Sequence, residues 1–441
     1  MNIAQNPTLE AVIVQGLSSE SEQEILSRLP ANLNLEATAR ETKALVRRRQ
    51  ITRAIDLLRM VFAYSVCDWS LRTVGAWCLI VGIGNLSDVG VLKRLCRSRL
   101  WLGKLVAEVL QVQQVAIAQR PQVRLRLMDG SSLSQPGSAG TDWRIHLSWD
   151  LATNCIDGLE LMDAKTGESF AHLPTNPGDI RVGDRGYSYA KGIGAVFSAG
   201  GSVIVRANWQ NLPLEDAEGN KKPLIELLSP EMAGSHQEHQ LWLKTEPGRF
   251  EVRLIIVKLP QEAADKARNS LRRRHRKRGT PISAKARLAV GYVFVLTNLP
   301  AEQWTAQDIL SIYRFRWQIE LAIKRLKSLL HIDQIRSQSS ELTQVYILAK
   351  LLAALMIDQW LRTVQASFPE WFCDEIRPIS IWRLTILFYE SLANIIRGLM
   401  TASKILKVLP KLQRFLCEPP RRHKQQLVIA KNFLMKFTPL S

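Results

Sequence analysis

The 441 residues allow about three domains at roughly 150 residues each. With 46% hydrophobic and 22% charged residues the chain can bury real cores, which excludes wholesale disorder. Lys and Arg number 59 against 40 Asp and Glu, a formal charge of +19, so a polyanionic partner, nucleic acid or an acidic membrane surface, leads the candidates.

Residues 1–10 have neither a basic nor an apolar signal region, and the longest apolar stretches, 77–83 and 351–357, fall far short of the ~20 residues a bilayer demands. These features predict a cytoplasmic protein with no membrane partner. Two helical stretches follow, 35–64 and 86–119, the second opening on Ser87-Asp88 as an N-cap. Arg47, Arg48, Arg49 and Arg53 stud the first, and Lys93, Arg94, Arg97, Arg99 and Lys104 the second, as a solvated face or a DNA-docking one. After Pro121 the period changes to two. Residues 123–128, 143–149 and 156–162 alternate between turn signals and predict three antiparallel strands, the first broken by Asp129-Gly130. A short strand at 180–182 ends in Gly183-Asp184-Arg185-Gly186, a helix is predicted within 187–197, and 202–207 is a further strand. Strands at 241–244, 250–259 and 288–297 flank residues 266–287, which carry ten Lys and Arg and no acid. Like charges repel, so this run predicts a loop, either mobile or ordered on phosphates. The helical period returns at 305–330 and holds to the end, with breaks near Pro369, Pro378 and Pro419-Pro420. The six cysteines form no CxxC pair, and His236-x-x-His239 lacks two more ligands at zinc spacing and reads as a loop pair.

The 305–330 helix holds Tyr313, Arg316, Glu320 and Lys327. At 100° per residue these four share a wedge of about 60°, running about 21 Å along the axis. By spacing alone the plainer reading is an amphipathic helix with i,i+4 charge pairs, each worth about 0.2–0.5 kcal/mol. Two upstream acids add weight. Asp129 closes the first strand beside a glycine, and Asp184 closes a later one before Arg185-Gly186. Strand-end carboxylates joined by one from a packed helix can hold two Mg²⁺ ions, which accept hard oxygens without His or Cys. Such a pair serves phosphodiester chemistry.

Asp129-Gly-Ser-Ser, Val182-Gly-Asp184-Arg-Gly-Tyr, Leu296-Thr-Asn-Leu-Pro300 and Tyr313-x-x-Arg316-x-x-x-Glu320-x-x-x-x-x-x-Lys327 together resemble a bacterial insertion-sequence transposase of the DDE class, in the group with the Tyr-Arg-Glu-Lys motif. The match spans about residues 127–333. The last motif is specific, and the other pieces convince by their order.

The resemblance implies an α/β fold: a ribonuclease H-like catalytic core interrupted by a mainly β insertion and flanked by helical N- and C-terminal regions. The corresponding boundaries are a DNA-binding region at 1–120, the core at 121–208 and 298–340, the insertion at 209–297, and a region for DNA contact or dimerisation at 341–441. It further implies Asp129, Asp184 and Glu320 as the catalytic, metal-binding triad, with two Mg²⁺ ions for which Mn²⁺ can substitute. Tyr313, Arg316, Lys327 and Arg185 would contact DNA. The implied activity is cleavage of the element's ends by hydrolysis and joining of the 3′-OH ends to target DNA, within a homodimer in a synaptic complex. The rival readings are a Mg²⁺ nuclease without strand transfer and a DNA-binding protein with a decayed site.

Overall fold

The computed structural model describes residues 22–46, 50–118, 123–228, 236–397 and 426–435. The N-terminal helical stretches resolve into shorter pieces. The first contains α1 (Leu35–Glu41) and α2 (Ala54–Ser65), and Lys43, at φ 60°, ends the run after α1. Arg47, Arg48 and Arg49 lie outside the described residues. After α3 (Leu71–Ile80), the second stretch divides at Ser98 into α4 (Asp88–Arg97) and α5 (Arg99–Ala118). Ser87 is the N-cap expected, its Oγ accepting from Gly90 N at 3.2 Å. Arg53 is internally engaged, pairing with Glu22 at 2.7 Å and Asp56 at 2.8 Å.

The strands form one mixed sheet of nine. They are β1 (Arg124–Leu133), β2 (Trp143–Asp150), β3 (Cys155–Asp163), β4 (Asp179–Gly183), β5 (Ser202–Arg206), β6 (Leu214–Glu215), β7 (Gln237–Thr245), β8 (Gly248–Lys258) and β9 (Tyr292–Thr297), in the order β3-β2-β1-β4-β5-β9-β8-β7-β6. The predicted antiparallel meander is present as β1–β2–β3. β4 and β5 then add parallel to β1, and β9 joins β5 antiparallel. Helix α6 (Ala190–Ser198) lies between β4 and β5 in the chain.

Two expectations need correction. β1 does not stop at Asp129-Gly130: its pairing with β2 continues to Leu133, with Asp129 opposite Leu147. The basic run is no loop. It lies mostly in an 18-residue helix, α7 (Gln261–Arg278), followed by α8 (Ala284–Ala289). Arg and Lys are good helix formers. Pairs of Lys266 with Glu262 and Arg268 with Asp265 anchor the first turns, and four basic residues in the last turn complement the helix dipole before Gly279 caps it at φ 63°.

The predicted 305–330 helix is two helices meeting at Arg316, α9 (Ala306–Phe315) and α10 (Trp317–Ser328). Here the backbone tightens to i→i−3 bonds, Arg316 N to Tyr313 O and Ile319 N to Arg316 O, both 3.2 Å. The 28-residue α11 (Ser340–Ser367) follows, then α12 (Pro369–Cys373), α13 (Ile381–Arg397) and α14 (Gln426–Met435), with the breaks at Pro369 and Pro378 as expected. Pro419-Pro420 lies outside the described residues. By length and composition α11 is long and apolar enough to cross a bilayer, but it is mostly buried inside the protein. One apolar core joins α2, α5, the Leu125–Leu127 face of β1, and α9 to α13. A second lies on the opposite face, under α6, β7 and β8. Among the described residues the cysteines are free.

Candidate active site

Strand register builds the site. Leu127 of β1 pairs with Val182 of β4, which pairs in turn with Ile204 of β5. All three side chains enter the core shared with α9 to α11. Side chains alternate with a period of two, so the residues two positions on face the same way. They are Asp129, Asp184 and Arg206. Parallel neighbours lie about 4.8 Å apart, so the three stand abreast beside the helical layer. The carboxyl end of parallel strands is the usual ligand side of an α/β sheet.

Each acid is fixed locally. Asp129 Oδ1 accepts from Gly130 N at 2.8 Å. Asp184 Oδ1 accepts from Gly186 N at 2.7 Å and so caps the single turn Arg185–Tyr187. Burial pushes the Asp129 carboxyl up to about 7; Asp184 and Glu168 add to this, while the Gly130 N–H and Arg316 oppose it. Glu320 lies in the first turn of α10, where Arg316 Nη2 donates to its Oε1. Burial alone would lower the Arg316 value, but the bond to Glu320 and the charges of Tyr313, Glu320 and Asp129 keep it raised. Arg316 is therefore the cation between the strand acids and the helix acid. With Glu320 turned onto it, no three acidic, His or Cys side chains among the described residues gather at metal-ligand spacing.

A cleft of about 280 Å³ opens beside Asp184, lined by Arg185, Arg206, Arg274, Tyr313 and Arg316. Four guanidiniums against one carboxylate make it a seat for an anion with planar or tetrahedral oxygens. Lys327 Nζ reaches to 3.5 Å of Ser132 O, at the far end of β1. The predicted residues therefore all border one end of the sheet, while Tyr313 and Arg316 precede the helix break and Glu320 and Lys327 follow it. Sequence reasoning missed Arg206, which needs the β4–β5 register to be seen, and Arg274, which sat in the supposed loop.

Helix α11 holds α10 in place. Lys350 Nζ donates to Leu330 O at 2.6 Å, just beyond α10, and lies 3.3 Å from Asp68. Asp358 Oδ2 accepts from Ile156 N of β3 at 2.8 Å.

Residues 122–356 match the family model described as Transposase DDE domain. The chain is 36% identical over 340 residues to the transposase InsL of insertion sequence element IS186A of Escherichia coli K12, covering 76% of this chain and 92% of that one. It is 36% identical over 341 residues to the transposase of insertion sequence element IS421 of Escherichia coli, again 76% and 92% of the two chains. A solved piggyBac transposase synaptic complex with hairpin DNA overlaps 91% of this chain and 83% of that one, at 10% identity and a TM-score of 0.41.

Proposed function

This chain belongs to the bacterial insertion-sequence transposases that carry the Transposase DDE domain, and from that premise we propose that Asp129, Asp184 and Glu320 are its metal-binding triad for cutting and joining DNA. The observation that carries the assignment is the register: Leu127 of β1 lies opposite Val182 of β4, so Asp129 and Asp184, each two residues on, fall at the same end of two adjacent parallel strands, on the side of the sheet that packs against α9 and α10. The order β3-β2-β1-β4-β5, an antiparallel meander followed by two parallel strands, supports a ribonuclease H-like core. Strands β6 to β8 and helices α7 and α8 would then be the insertion.

The DDE domain implies a divalent metal, and the chemistry of the donors suits one: hard carboxylate oxygens on Asp129, Asp184 and Glu320, without His or Cys. Two Mg²⁺ ions, for which Mn²⁺ can substitute, would activate the attacking oxygen and stabilise the departing one. The chain's own residues do the rest. Asp129 and Asp184 orient through the Gly130 and Gly186 N–H groups, and Glu320 is released from Arg316 to join them. Arg185, Arg206, Arg274, Tyr313 and Arg316 seat a phosphate of the element's end next to Asp184, and Lys327 holds a further one. The partners are end and target DNA, the working assembly is a homodimer in a synaptic complex, and the location is the cytoplasm, at the nucleoid when DNA is bound.

The test is incubation of the purified chain with a labelled end fragment, target DNA and Mg²⁺. The expected result is a strand cut at the element boundary and a joined product, both lost in Glu320→Gln while end binding persists. Cutting that survives in Glu320→Gln removes it from the triad, and cutting without joining leaves a nuclease.

A further inference from the structure

A cavity lies at the other end of the sheet from the acids. Asp129 of β1 pairs with Leu147, whereas Asp150 at the end of β2 pairs with Arg126. At 3.3 Å per residue the turn after β2 therefore stands about 16 Å from the level of Asp129. A cavity of about 270 Å³ opens there, between this turn, the last part of α11, α12 and α14. Gln365 Nε2 of α11 donates to Ala152 O at 3.3 Å and closes one side, and Ala366, Leu434 and Met435 supply apolar wall.

The charged groups that line it are both cations, Arg362 and Lys431. Lys431 is 8% exposed, and among the described residues its ammonium makes no hydrogen bond and no ion pair; it faces only the Phe372 ring, 4.8 Å away. Burial lowers its pKa to about 8, and the groups that oppose this are the thiols of Cys373 and Cys155, not a carboxylate. A ring face returns only part of the hydration that an ammonium loses on burial. Asp358, whose charge Arg362 does feel, already accepts from Ile156 N at 2.8 Å. Lys350, the buried lysine of α11, shows the usual arrangement: it has both Leu330 O and Asp68. Lys431 has neither kind of partner, so the cavity holds an unmet positive charge.

We propose that this cavity binds a small organic anion, a carboxylate or phosphate head on a short apolar body, with Lys431 and Arg362 holding the head. The inference is independent of the triad reading given under Proposed function. A bare inorganic ion would leave Ala366, Leu434 and Met435 against water, whereas an apolar body covers them. The volume lies at the small end for ligand cavities and admits a body of about one aromatic ring. Bound there, the anion ties α14 to α11 and stabilises the folded chain by mass action.

The experiment measures binding of benzoate and of phenyl phosphate to the full chain, by titration calorimetry and by the thermal midpoint. Benzamidine, of similar shape and opposite charge, is the control. The proteins are wild type, Lys431→Met, Ala366→Trp and Arg274→Ser. Lys431→Met removes the charge and nearly keeps the volume. Ala366→Trp keeps both cations and fills the cavity from an exposed position on α11. Arg274→Ser instead removes a cation of the cleft beside Asp184. The expected result is that at least one of the two anions binds wild type and raises its midpoint, while benzamidine does neither. Its affinity should fall by roughly tenfold or more in Lys431→Met and in Ala366→Trp, and hold in Arg274→Ser. Without ligand, Lys431→Met should melt no lower than wild type, because an unpaired buried charge has been taken out. A clear drop there would mean that the chain itself satisfies the ammonium, and overturns the site. Failure of both anions to bind, equal binding of benzamidine, or unchanged affinity in either Lys431→Met or Ala366→Trp overturns it as well.

Discussion

At the residue scale, what was legible was what local chemistry marks. Asp129 and Asp184 stand next to glycines, and Arg316 and Glu320 stand four apart, so composition and spacing flagged them. Arg206 shows the limit: in sequence it is only the polar end of Ser-Val-Ile-Val-Arg, and it becomes a site residue once Ile204 is known to pair with Val182. Arg126 shows the opposite. It alternates with leucines as a solvent-facing residue would, yet it is 2% exposed, 2.7 Å from Asp157 and 3.0 Å from Asp179. A buried arginine held by two carboxylates gives no pattern of its own. Lys327, by contrast, lies near the surface with one long backbone contact, free to meet phosphate. Lys327→Ala is expected to weaken end-DNA binding and to reduce the slope of log affinity against log salt by about 1. A salt titration with the end fragment measures this, and an unchanged slope would make Lys327 a mere surface charge.

At the scale of elements, the helical period across 305–330 was legible, but its interruption at Arg316 was not. The break leaves every apolar position in phase and changes only which carbonyl each N–H meets. The basic run went wrong for a different reason. The repulsion along this run is offset by the helix dipole and by acids in the first turns, neither of which a run of like charge displays. In α7, Ala264 is the one residue that is buried, so charge there can be altered without touching a core. Arg272→Ser, Arg273→Ser and Arg276→Ser combined should shift the thermal midpoint little, and should weaken binding to non-specific DNA with a salt slope smaller by about 2–3. The joint between α11 and β3 carries a pH dependence. Burial pushes the Asp358 carboxyl up to about 6, against the Ile156 N–H, Arg325 and Arg362. Since the folded value exceeds the ordinary carboxylate value, the protonated form favours the fold. Asp358 therefore contributes a loss of stability as pH rises from about 4 to about 6, and no further change above that. At 1.36 kcal/mol per pH unit this loss is on the order of 3 kcal/mol. Asp358→Asn should remove it, which denaturant melts at pH 4 and pH 7 would measure.

At the scale of the molecule, one apolar core runs from the N-terminal helices through the sheet to α13. Contacts between segments so distant leave no local period to read. Lys350 is one of the pins through this core. It is buried on α11, tied to Leu330 O and to Asp68 of the N-terminal part, and burial lowers its pKa to about 8. Lys350→Met should cost about 1–3 kcal/mol, chiefly by leaving the buried Leu330 carbonyl without its donor, since Asp68 keeps Tyr346 and Arg336. The loss should appear as a shift of one cooperative transition, followed by circular dichroism and tryptophan fluorescence together; separate transitions would mean that the N-terminal part unfolds independently. The continuity of the sheet has a mechanical consequence. From β3 to β6 there is no seam, and the step from β5 to β9 is bridged by backbone bonds at Ile204–Thr297, Val205–Leu296 and Arg206–Val295. Swinging the outer strands against Asp129 and Asp184 would break those bonds, so the arm that carries α7 is held at a fixed position relative to the two acids.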